Sequence, residues 1–128
     1  MSDLPDSRMR GVIHLDIFNL DVAIFDNEDD RIAALTDQGC NDLSRHTEAA
    51  IASAHIDATE DGGPRLSMVI KPHATKATWA HECVHITDFV MDHLSLPMGV
   101  ENTEIRAYMV GHLFGGLQRI FQKRKGKK

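Results

Sequence analysis

Apolar and polar residues alternate along the first part of the chain in a way that predicts a small sheet. In residues 11–18, the apolar Ile13 and Leu15 alternate with the polar His14 and Asp16, which is the two-residue period of a strand. The same pattern predicts further strands at residues 21–25, 49–57 and 65–71. A tight turn is expected at Asn19-Leu20, and residues 60–64 carry a strong turn signal.

Three longer stretches have the apolar pattern of helices. Asn27 can cap a helix over residues 28–43, whose apolar side is formed by Ile32, Leu35, Gly39 and Leu43. Residues 76–94 contain no proline and no glycine, and their apolar residues lie on nearly all sides, which predicts a helix buried in the centre of a domain. After a break at Pro97 and Gly99, a last helix is expected to begin within residues 101–103 and to run to about Gln122.

The second of these helices carries the pentapeptide His81-Glu82-Cys83-Val84-His85. Residues four apart on a helix leave the same side, so His81 and His85 could supply two ligands of a tetrahedral zinc site. Glu82 could then reach a water on the metal as a general base, which is the HExxH pattern of zinc metallopeptidases. The structural alternative is a histidine pair that is hydrogen-bonded inside the core, with Glu82 at its edge.

A zinc site of this kind needs a third protein ligand and one open position for water. The downstream candidates are Asp88, Asp92, His93, Glu101, Glu104 and His112. Asp88 is placed to orient an imidazole, and His93 is too far along the helix from the pair. Glu104, near the start of the last helix, is the favoured ligand, and Glu101 is its main competitor.

Eighteen residues separate His85 from Glu104, so the spacing is HExxH-x18-E. This resembles the gluzincin branch of zinc peptidases, in which a glutamate on a following helix is the third ligand. The segment Glu104-Ile105-Arg106-Ala107-Tyr108 also resembles the E-x-x-A-Y segment of small, mostly phage-encoded HExxH proteins that are described as candidate metallopeptidases. The resemblance covers residues 78–114.

The resemblance implies an α+β fold: a minimal zincin-like domain with a small, mostly antiparallel sheet packed on the HExxH helix and a second C-terminal helix. It also implies one zinc ion per chain, a protein or peptide substrate, and a site in which Tyr108, or His112, stabilises an oxyanion. An edge strand beside the metal, either residues 65–71 or their neighbour, would bind an extended peptide. Core packing is the structural alternative for Tyr108.

Peptidases of this branch normally carry a second domain that completes the substrate cleft, and 128 residues predict a single domain, residues 1–122. A zinc-stabilised protein-binding module with little hydrolytic activity is therefore the alternative function. A protein–protein interaction domain without metal, in which the pentapeptide is accidental, is a third.

Charge and cysteine content indicate the character of the C-terminal tail and the cellular location of the protein. The chain has a net charge of −5, and its last six residues carry five positive charges, which leaves −10 for residues 1–122. The tail, residues 123–128, is expected to be disordered, with weak contact to nucleic acid or an acidic partner as its functional alternative.

Two isolated cysteines, Cys40 and Cys83, predict no disulfide framework. The sequence has neither a signal peptide nor a membrane span, so we expect a cytoplasmic protein. If the resemblance to phage proteins holds, that is the cytoplasm of the host.

Overall fold

Strands and helices follow each other in the order that the hydrophobic pattern predicts. The computed structural model describes residues 7–41, 43, 51–97 and 99–126, with side chains to residue 122. The described elements are β1 (Gly11–Leu15), β2 (Leu20–Phe25), α1 (Glu28–Asp37), β3 (Ala52–Ala58), β4 (Pro64–Ile70), α2 (Lys76–His93) and α3 (Thr103–Gly126), with a short 3-10 turn, Val100–Asn102, before α3. The fold class is α+β.

The four strands form one mixed sheet in the order β1-β2-β4-β3. β1 and β2 are antiparallel, β2 and β4 are parallel, and β4 and β3 are antiparallel. Of the two strands considered for the edge, residues 65–71 form the inner strand β4. Their neighbour β3 is the edge strand on that side of the described sheet, and β1 is the edge strand on the other side.

The two faces of the sheet are covered by different helices. Alternate residues of β1, β2 and β4 pack with α2 and α3 in the main core, which contains Ile13, Leu15, Val22, Ile24, Leu66, Met68, Ile70, Cys83, Ile86, Val90, Met91, Met109, Leu113 and Leu117. On the opposite face, Phe25 and Val69 pack against Ala34 of α1. The two-residue period of the strands thus places a hydrophobic layer on each side of the sheet.

An ionic network is buried between α1 and the edge strand β3. The Arg31 side chain has no solvent exposure, and its guanidinium donates hydrogen bonds at 2.9 and 3.1 Å to Glu28 and at 3.0 Å to Asp57. Beside it, the hydroxyl of Ser53 and the Nε2 atom of His55 lie 2.8 Å apart, and both residues are buried. Because a buried guanidinium needs carboxylate partners, this network ties α1 to β3.

Three predicted boundaries are wrong for identifiable reasons. β1 ends at Leu15 because Leu15 pairs with Leu20, so the turn contains residues 16–19, with Asn19 in the left-handed region at φ 52°. α1 is capped by Asn27 as predicted but ends at Asp37, not at residue 43, because Gly39 adopts φ 94° and leaves the helix. α3 continues through Gly126, four residues beyond its expected end, so the first four residues assigned to a disordered tail have helical backbone.

The burial of α2 also differs from the prediction. The helix is not surrounded by the core: Cys83, Ile86, Thr87, Val90 and Met91 are buried, whereas His81, Val84 and His85 are exposed. The sheet and α3 cover only part of its circumference.

We predict that alanine substitutions at two glycines of α3 change the free energy of unfolding in opposite directions. A Cβ atom at Gly116 would lie 2.8 Å from two carbon atoms of Ile13 in β1, whereas a Cβ atom at Gly111 would meet nothing within 4 Å. Gly116→Ala should lower the free energy of unfolding by about 1–3 kcal/mol because it overpacks the helix–sheet contact. Gly111→Ala should raise it by roughly 0.5–1 kcal/mol through helix propensity. Urea unfolding of both variants measures this, and equal stabilisation by the two would contradict the close approach of α3 to β1.

Candidate metal site

Helix α2 presents the two histidines on a regular, well-capped segment. Its N-cap is Thr75, whose hydroxyl accepts a hydrogen bond from the amide of Thr78, and the helix continues without interruption to His93. Thr87 is buried and donates its hydroxyl proton to the carbonyl of Cys83 at 2.8 Å, so this polar side chain is satisfied within the helix. Packing of one side of α2 on the core holds the backbone of His81 and His85 in place.

The geometry of the histidine pair suits two ligands of one metal ion. The Nε2 atoms of His81 and His85 are 3.1 Å apart, and their ring centroids are 4.7 Å apart. Two nitrogen ligands bound at about 2.0–2.1 Å to a tetrahedral zinc ion lie roughly 3.3 Å from each other. Both side chains are exposed, so the alternative of a histidine pair inside the core is wrong.

Glu82 occupies a different position from the one that the core alternative assumed. Its side chain is 7% exposed, although the histidines beside it in the sequence are at the surface. Within the described residues its carboxylate makes no hydrogen bond or ion pair, and its oxygen atoms are not fully buried. Burial, and next the negative charge of Glu82, raise the pKa of the Cys83 thiol to about 12, so Cys83 is an unreactive, apolar residue.

Among the described residues, no third metal ligand lies beside the histidine pair. In the part of the chain that the structure describes, no three histidine, cysteine, aspartate or glutamate side chains come together in an arrangement that could hold a metal ion. Glu104 is exposed on α3, and Arg106, two residues later and roughly 200° further around the helix, faces α2. The ligand roles of Glu104 and of its competitor Glu101, which is also exposed, stay predictions.

Asp88 contacts α3 rather than a histidine. Its carboxylate accepts a hydrogen bond from the Arg106 guanidinium at 3.1 Å, and both side chains are a little more than one-third exposed. The expected role of Asp88 in orienting an imidazole is therefore replaced by a link between the two helices. Sequence reasoning missed Arg106, although opposite charges on two consecutive predicted helices are a usable signal.

Tyr108 and His112 lie together beside β1. Their rings stack with centroids 5.7 Å apart, and the Nε2–H group of His112 donates to the main-chain carbonyl of His14 at 2.8 Å. Tyr108 is 45% exposed, so its structural alternative, core packing, is wrong. His112 serves as a link between α3 and the edge strand, and the oxyanion role of Tyr108 stays a prediction.

Comparisons of the chain with protein families, with curated proteins and with solved structures found no match. Within the described residues, no helix is both long enough and apolar enough to cross a membrane. The site must therefore be interpreted from its own geometry.

We predict that protonation of His14, in the β1–β2 hairpin next to His112, makes the stability of the fold depend on pH. A hydrogen bond to Asp21 is the largest cause that raises the pKa of His14 above its ordinary value of 6.5; the charges of Asp21 and Asp16 raise it further, and desolvation opposes them. Because the folded pKa is raised, protonated His14 stabilises the fold below the unfolded pKa, and this contribution disappears as the pH rises through the folded pKa. Relative to His14→Gln, the wild type should gain stability at about pH 5 and lose that advantage at about pH 9.

Proton NMR of the His14 ring measures the same effect directly. The titration midpoint should fall in Asp21→Asn, because this change removes the carboxylate that holds the proton. An unchanged midpoint in that variant would show that Asp21 does not control the ionisation of His14.

Proposed function

We propose that the chain is a zinc-dependent peptidase whose metal is bound by His81 and His85, with Glu104 as the third ligand and Glu82 as the general base. The observation that carries this proposal is the 3.1 Å separation of the two Nε2 atoms at the surface of a rigid helix. The alternative explanation of that distance, a hydrogen bond between two solvent-exposed imidazoles, would stabilise the protein very little, because both groups can bond water instead.

The position of Glu82 beside the histidine pair supports the assignment of the base. Its carboxylate has no hydrogen bond or ion pair among the described residues and is not fully buried, so it can accept a proton from a neighbouring water. A zinc ion bound by the neighbouring histidines would acidify a water molecule and polarise a peptide carbonyl. Glu82 would accept the proton of the attacking water and pass it to the leaving amine.

The position of β3 supports a peptide as the substrate. Ala52 and Ala54 of this edge strand pack against the same core as Cys83 and Ile86 of α2, so α2 and β3 are neighbours. An extended peptide can add to a free strand edge through main-chain hydrogen bonds. This arrangement of sheet, edge strand and HExxH helix agrees with a zincin-like domain, and Tyr108 as an oxyanion donor rests on the family resemblance alone.

A zinc-dependent binding module is the second candidate. It is favoured by the exposed position of Glu104 and by its separation around α3 from Arg106, which faces α2. In such a module the histidines would bind zinc and contact a partner, without a third ligand and an open water position arranged for hydrolysis.

Glu82→Gln separates these two functions. In a peptidase this variant should retain zinc and lose at least about 10²–10⁴-fold in kcat/KM on a peptide library, because an amide cannot accept the proton. Glu60→Gln, the same change at an exposed position in the β3–β4 turn, is the control and should cleave like the wild type. Equal cleavage by Glu82→Gln and wild type would exclude Glu82 as the base. Zinc-loaded wild type that cleaves no peptide would favour the binding module.

Glu104→Ala tests the third ligand. If Glu104 binds zinc, its loss should weaken zinc affinity by more than the roughly 10–100-fold that is typical for residues that only support a ligand. Glu101→Ala is the matched control, because Glu101 lies on the adjoining 3-10 turn and is also exposed. Zinc affinity measured by competition with a chromogenic chelator distinguishes the two, and a loss confined to Glu101→Ala would move the ligand to that residue.

A further inference from the structure

A pocket separate from the histidine pair opens at the N-terminal end of α2. It encloses about 510 Å³ between the end of β4, the start of α2 and the end of the described side chains of α3. Sites for small molecules usually have volumes of roughly 300–1,000 Å³ and apolar walls with a few polar groups. The pocket meets this description.

Its apolar wall is built on the hydrophobic core. Ile70, which is 1% exposed, and the rings of Trp79 and Phe121 line the pocket. The ring centroids of Trp79 and Phe121 are 5.5 Å apart, and Phe114 packs on Trp79 from within at 5.9 Å. A hydrocarbon chain placed here would bury its surface against aromatic rings that the core already holds in position.

The charge at this pocket is positive, in contrast to the rest of the body. Lys71 and Lys76 line it, and none of the described lining residues is acidic. Residues 1–122 together carry −10, and Arg8, Arg10, Arg31 and Arg106 all pair with carboxylates. Lys76 has no ion pair within the described residues, and it is the first residue of α2, where the helix dipole adds further positive potential.

We propose that this pocket binds a hydrophobic carboxylate of the size of a medium-chain fatty acid. The hydrocarbon chain lies along Trp79 and Phe121, and the carboxylate is held by Lys76 and the N-terminal end of α2. This site does not depend on the metal site.

Decanoate, used below its micellar concentration, is the probe. Trp79 is the only tryptophan of the chain, so its fluorescence reports on the pocket alone. Titration with decanoate should give a saturating change in emission, and decanol, which has the same chain without the charge, should bind roughly tenfold or more weakly. The titration is repeated with EDTA, where an unchanged result shows that binding is independent of the histidine site.

Lys76→Glu should weaken decanoate binding by roughly tenfold or more, because reversal of a neighbouring charge replaces attraction by repulsion. Arg119→Glu makes the same change at an exposed position of α3 that does not line the pocket, and it should bind like the wild type. Circular dichroism checks that both variants retain their helices. The proposal is wrong if decanoate gives no saturable change, if decanol binds equally well, or if the two variants respond alike.

Discussion

One-sided packing of α2 is the constraint on which the rest of the structure depends. Its buried residues, among them Cys83, Ile86 and Val90, join the main core with strands β1, β2 and β4 and with α3. That packing fixes the rotation of the helix about its own axis. Because His81 and His85 lie on the side that the core leaves uncovered, their side chains are exposed on a helix that the core holds in place, whereas Glu82 is largely buried. A surface loop could not hold two imidazoles at this separation as firmly.

The opposite face of the sheet is organised by a different interaction. Arg31 is fully buried between Glu28 and Asp57, and removal of one partner of such a network typically costs about 3–5 kcal/mol because a buried charge is left unpaired. The network joins α1 to the edge strand β3. Since β3 also packs with α2, the position of this edge relative to the histidines is determined from both faces of the sheet.

The hydrophobic pattern was sufficient to predict the order and type of the elements. α2 was predicted to within one residue, because Thr75 caps it and Pro72 and Pro97 flank it. The end of α1 was missed because apolar residues continue past Gly39, and only the backbone conformation of that glycine ends the helix. Strand order was not predictable, since the pattern of a strand does not specify which neighbour it pairs with.

The site was predictable only where its residues are local in sequence. Residues four apart on a helix must lie on one side, so the pairing of His81 and His85 followed from the pentapeptide. The sequence did not show that this side of the helix is exposed, because apolar residues on nearly all sides of a helix do not indicate which side is buried. Tertiary links such as Arg106 with Asp88, or His112 with the carbonyl of His14, depend on the crossing of helices and strands that the sequence pattern does not define.

The most direct test of the central claim is the zinc affinity of the histidine pair, measured by isothermal titration calorimetry on protein prepared without an affinity tag. The wild type should bind zinc, and His81→Ala and His85→Ala should each abolish most of the affinity, because each removes a ligand. His93→Ala is the matched control at an exposed histidine of the same helix, and it should bind like the wild type. Zinc binding that survives in both His81→Ala and His85→Ala, or an absence of binding by the wild type, would contradict a metal site on α2.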